Sequence, residues 1–89
     1  MIESERREGH ARSPFEMFDV VRVARLEIPS RDVDGSGATP LQPRVGETGT
    51  IVEVVGDDVY LVERVTDDGR TLWLAEFAES ELELVQRAE

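Results

Sequence analysis

The sequence predicts an all-β fold, a small barrel of five short strands with a long first loop. Three observations carry this: β-branched apolar runs recur between Phe18 and Val85, tight Gly/Asp turns separate several of them, and one long Pro/Gly-rich stretch follows the first run. Closure into a barrel would remove the edges that so short a sheet otherwise exposes.

Residues 1–16 are charged, poor in apolar side chains and interrupted by Gly9 and Pro14, so they are expected to form a flexible arm. The barrel is expected over residues 17–87, leaving 88–89 as a tail. Phe18-Asp19-Val20-Val21-Arg22-Val23 is the first strand, which Leu26 and Ile28 can prolong until Pro29 ends it. Residues 29–46 hold Pro29, Gly35, Gly37, Pro40, Pro43 and Gly46 and read as one irregular loop. A loop beyond roughly 12–15 residues usually carries function or lacks order.

Thr50–Val55 is the second strand, Gly56-Asp57-Asp58 a tight turn, and Val59–Val65 the returning strand. Asp67-Asp68-Gly69 marks a second hairpin, whose glycine can take the positive φ that such a turn demands. Thr71–Leu74 follows as a strand, Glu79-Ser80-Glu81-Leu82 as one helical turn, and Glu83-Leu84-Val85 as the last strand.

With 89 residues the chain is one domain at most and buries a small core. It has no apolar run of the ~20 residues that span a bilayer, and its charged N-terminus lacks the apolar stretch of a signal peptide. A cytoplasmic protein is expected, with no membrane partner.

The formal charge is −10, from twenty acidic and ten basic residues. Residues 53–89 carry eleven of those acids against three arginines, a net of −8, so the acidity belongs to the folded second half. A field of that sign repels phosphate backbones and argues against nucleic-acid binding. Every basic residue is arginine, which excludes lysine Schiff-base chemistry and a P-loop lysine.

The absence of cysteine removes disulfides, zinc–thiolate sites and thiol catalysis. His10 stands alone in the arm, without the convergent ligands a metal needs or a serine placed to form a triad. Asp32-Val33-Asp34-Gly35-Ser36-Gly37 matches the first half of a calcium loop, with oxygens at positions one, three and five. Its twelfth position is Pro43 where a bidentate glutamate is required, so Asp32, Asp34 and Ser36 read as an ordinary turn. No catalytic residue, cofactor or metal is expected, and the chain is not expected to be an enzyme.

The strands carry apolar residues on both faces. If Val52 and Val54 point inward, alternation sends Ile51 and Val55 outward. The same parity sets Tyr60 and Val62 against Leu61 and Val65, and Leu72 and Leu74 against Trp73 and Phe77. Ile51, Val55, Tyr60, Leu61 and Trp73 are therefore candidate contact residues, with Tyr60 and Trp73 equally at home in a core. The acidic turn pairs Asp57-Asp58 and Asp67-Asp68 would steer a basic protein toward that face. A homodimer mate could cover it instead.

Asp19-Val20-Val21-Arg22-Val23, the long loop, and Val45-Gly46-Glu47-Thr48-Gly49-Thr50-Ile51-Val52-Glu53 together resemble SH3-like barrels of the KOW and electron-transport-accessory kind. The G-x-x-G-T-[IV]-V-E unit and Asp68-Gly69-Arg70-Thr71 are similar to a bacterial family of small uncharacterised SH3-like proteins. The resemblance covers about residues 18–86, and departs from that family's pattern at Arg64, where an aromatic residue is expected. It implies a 3₁₀ turn before the last strand and, since some members are encoded beside toxin-like proteins, neutralisation of a basic partner such as a cognate toxin or nuclease. The segment Thr39-Pro40-Leu41-Gln42-Pro43-Arg44 is similar to the barrel of nitrile hydratase β-subunits, which implies an accessory or maturation subunit of a metalloenzyme or redox complex as the alternative. KOW-like nucleic-acid binding is a third implication, and the charge opposes it.

Overall fold

The computed structural model describes residues 14–35 and 41–88. Residues 1–13, with His10 and most of the expected arm, and Ser36 and Gly37 of the half calcium loop lie outside the described residues. The fold is all-β: β1 (Val20–Val23), β2 (Thr48–Val54), β3 (Val59–Val65), β4 (Thr71–Ala78), a single 3₁₀ turn (Glu79–Glu81) and β5 (Leu82–Gln86). All pairings are antiparallel, in one sheet of order β4-β3-β2-β1-β5.

The five strands, the long first loop and the 3₁₀ turn stand as the sequence predicts. Closure does not: β4 and β5 flank the sheet without pairing to each other. The first loop covers the β4 edge instead. Asp34 and Leu74 exchange backbone hydrogen bonds (3.0 and 2.8 Å), and the Arg31 guanidinium donates to the Glu76 carbonyl (2.7 Å). Past the end of β1, an inner strand, the amides of Ala24 and Arg25 continue the ladder toward β5 by donating to the Glu81 carbonyl. The β4 edge groups of Leu74 and Glu76 are thus satisfied from the first loop.

β4 runs four residues past its expected end because alternation continues, burying Trp73, Ala75 and Phe77 on one face. The core also holds Phe15, Val21, Val23, Ile51, Tyr60, Val62 and Leu82. Phe15, expected in the arm, belongs to this core and meets Tyr60 edge-on at 5.3 Å. Trp73 and Phe77 pack at 5.5 Å.

Gly49 sits where β2 crosses closest to β3. A Cβ there would lie 2.7 Å from Val62 Cγ1 and 2.8 Å from the Glu63 carbonyl oxygen, so only glycine fits. Gly69 takes φ +90° in the β3–β4 turn, as the sequence requires.

Asp19, buried just before β1, joins the segment at Glu16 to the residues that follow β5. Its carboxylate accepts from the amides of Glu16 (2.9 Å) and Ala88 (2.8 Å) and from Arg87 Nη1 (3.2 Å), so the expected tail residue Ala88 is anchored. Burial pushes the Asp19 pKa up, but these amides and the Arg87 charge outweigh it and hold the carboxyl below its usual range.

Candidate functional site

Three of the expected contact residues face inward. Ile51, Tyr60 and Trp73 are 0%, 0% and 1% exposed, so none presents a side chain to a partner. The error at Ile51 has a local cause. The β2–β3 register shifts between Ile51 and Glu53, so Ile51 pairs with Val62 and Val54 with Tyr60, both inner-face partners. The bulge adds one residue and breaks strict alternation. Trp73 sits in the core with its Nε1 donating to Glu47 Oε1 (3.0 Å). Arg64, where the family pattern expects an aromatic residue, faces Trp73 across the ladder and donates to the Thr48 carbonyl (2.8 Å).

Val55 is exposed and Leu61 half-buried on the outer face. Asp57 and Asp58 lie exposed in the β2–β3 turn, Asp67 and Asp68 in the β3–β4 turn. These turns stand at opposite ends of β3, separated by about 20 Å of strand, and form two acidic tips, not one site. Asp68 accepts from Thr66 Oγ1, the leading reason its pKa falls below the usual value.

The outer face of β3 and β4 has a groove that the sequence did not reveal. Its floor is Leu61 and Leu74, half-buried, and its wall is the first loop from Ile28 to Asp34. The volume is about 410 Å³. Asp32, Asp34 and Glu76 line its rim, and among the described residues no side-chain hydrogen bond or ion pair engages their carboxylates. Asp32 and Asp34, read from sequence as a turn with a half calcium motif, are here part of the groove wall. Among the described residues no three potential ligands converge on a metal position.

Among the described residues one cation, Arg31, borders the groove, and it is already engaged. Arg31 makes two hydrogen bonds to Glu81, Nη1 to Oε1 at 3.0 Å and Nη2 to Oε2 at 2.5 Å, with side chains 6% and 4% exposed. It also stacks 4.4 Å over the Phe77 ring. Glu81 further accepts from the amides of Glu27 and Ala78. Burial raises the Glu81 pKa, yet Arg31 and these amides dominate and hold it at about 2. The sequence offers one weak signal for this pair, a glutamate beside the apolar Leu82 at the start of a strand; its partner fifty positions earlier carries none.

The pairing of arginines extends over the molecule. Arg22 lies 3.1 Å from Glu83, Arg64 3.8 Å from Glu47, Arg70 3.6 Å from Asp68 and Arg87 3.2 Å from Asp19. Of the seven described arginines five thus lie beside a carboxylate, and Arg25 and Arg44 do not. No helix among the described residues is long and apolar enough to cross a membrane. No protein-family model, curated protein or solved structure matches this chain.

Proposed function

We propose that this chain is a non-catalytic, cytoplasmic protein-binding module of the bacterial SH3-like kind, and that its partner is a basic protein. The specific form of this reading is neutralisation: the module covers a positive surface of a toxin or nuclease. The observation that carries it is the asymmetry of pairing. Among the described residues five of seven arginines lie beside carboxylates, all but Arg25 and Arg44, while the carboxylates of Asp32, Asp34, Glu76 and the Asp57-Asp58 tip have no cation beside them and keep their charge for one outside. Such a field accelerates encounter with a basic surface and disfavours polyanions. The strand order and the 3₁₀ turn before β5 support the SH3-like part of the reading.

The test is capture of the tagged chain from its native cell extract, washed at low and then high salt. A stoichiometric basic protein that is released by salt supports the module, since exposed charge contacts are screened within about 10 Å at 0.1 M. Recovery of the chain alone, or of an acidic protein, overturns it.

A further inference from the structure

We infer that the groove between the first loop and the β3–β4 face holds an extended segment of the partner in which apolar and basic residues alternate. This rests on the protein-binding reading above and specifies its contact site.

The argument is one of matching repeats. In the β3–β4 register Leu61 stands opposite Glu76 and Leu74 opposite Glu63, so the two leucines are diagonal neighbours on one face. Diagonal positions on an antiparallel pair lie about 7–8 Å apart. Side chains two apart on an extended chain repeat every ~6.6–6.8 Å. Alternate residues of a strand-like segment can therefore seat one apolar group on each leucine.

The wall follows the same repeat. Val33 packs against the core, and Asp34 is held extended by its backbone bridge to Leu74. Asp32 and Asp34 flank Val33, and both stand exposed at the rim while it packs inward. Glu76 adds a third carboxylate. A segment whose apolar residues face Leu61 and Leu74 carries its intervening residues on the solvent side, from where a long Arg or Lys side chain bends to the rim carboxylates and makes charge-assisted hydrogen bonds. Arg31, bound to Glu81, leaves the rim's negative charge intact. Apolar floor and charged rim are the usual division between contact energy and selectivity in a protein interface.

The probe is a fluorescein-labelled Arg-Leu-Arg-Leu-Arg peptide, compared with Arg-Ser-Arg-Ser-Arg of equal charge. Anisotropy gives affinity, and backbone amide shifts of the labelled protein give location. The leucine peptide is expected to bind about tenfold tighter, with shifts centred on Val33, Leu61 and Leu74. Asp32→Asn with Asp34→Asn, at exposed positions whose carboxylates make no bond among the described residues, is expected to weaken it about tenfold at unchanged melting temperature. Equal binding of both peptides, with shifts spread over the Asp57-Asp58 and Asp67-Asp68 tips, overturns the groove and leaves the acidic module standing. Absence of binding by either peptide also overturns the groove. Capture from extract that persists in a Leu61→Ser, Asp32→Asn, Asp34→Asn variant removes the groove alone, whereas failure of capture by the unaltered chain removes the module itself.

Discussion

Arg31, in the first loop, and Glu81, in the 3₁₀ turn, form a two-hydrogen-bond ion pair whose side chains are 6% and 4% exposed. The pair fastens the loop to the open side of the sheet, and through the Arg31 bond to the Glu76 carbonyl it also occupies part of the β4 edge. Burying two charges costs several kcal/mol per ion, and their geometry with additional hydrogen bonds offsets this. Removing one partner therefore hurts more than removing both.

Arg31→Met is expected to destabilise by about 3–5 kcal/mol, because it leaves Glu81 charged and buried. Combining it with Glu81→Leu should recover part of that loss. Urea unfolding of the three variants measures the coupling; additive losses would deny the pair its role.

Acid should act through the same carboxylate. The folded Glu81 pKa is about 2 against an ordinary 4.5, so its contribution is complete above 4.5 and is lost as pH falls through about 2. Asp19 shifts in the same direction. The Glu81 span corresponds to about 3 kcal/mol, at 1.36 kcal/mol per pH unit. Stability measured by urea at successive pH values should fall over this window, and Glu81→Gln, less stable at neutral pH, should flatten the fall.

Gly49→Ala should destabilise by about 1–3 kcal/mol. Its Cβ would meet Val62 and the Glu63 carbonyl below 3.0 Å, and a carbonyl fixed in a sheet cannot step aside. Thermal unfolding followed by far-UV circular dichroism tests it.

Tyr60→Phe should leave stability unchanged or raise it by about 1 kcal/mol. The Tyr60 hydroxyl is buried with no hydrogen-bond partner among the described residues, so deleting it removes a desolvated polar group and keeps the ring against Phe15. A fall in the unfolding midpoint greater than that would contradict the packing described.

Phe18 is exposed by 62% and holds φ +73°, a conformation a bulky residue rarely takes. Its amide donates to the Ile51 carbonyl, and the neighbouring Asp19–Glu16 turn keeps the backbone there. Phe18→Asn should raise the melting temperature by a few degrees, since asparagine tolerates the left-handed region and little packing is lost.

Much of the fold was legible because its signals are local. Val59–Val65 between two Gly/Asp turns reads as a strand whatever surrounds it, and Asp67-Asp68-Gly69 carries its own turn chemistry. Inside and outside were not legible on β2. Ile51, Val52 and Val54 are all apolar, and only the bulge that pairs Ile51 with Val62 decides which of them turn inward. Of the residues expected at a contact surface, Ile51, Tyr60 and Trp73 lie in the core, while Val55 is exposed and Leu61 half-buried.

Residue types and their near neighbours were enough for the class of fold, the number of strands along the chain, the acidic second half, and the absence of lysine and cysteine. Each depends on residue type or on neighbours within a few positions. The open sheet with the first loop across its edge, the pairing of Arg31 with Glu81, and the floor that Leu61 and Leu74 share under Asp32 and Asp34 come from the folded arrangement alone. Those relations join residues far apart in the chain, and they exist only once strand register and the path of the loop bring the side chains within a few ångströms.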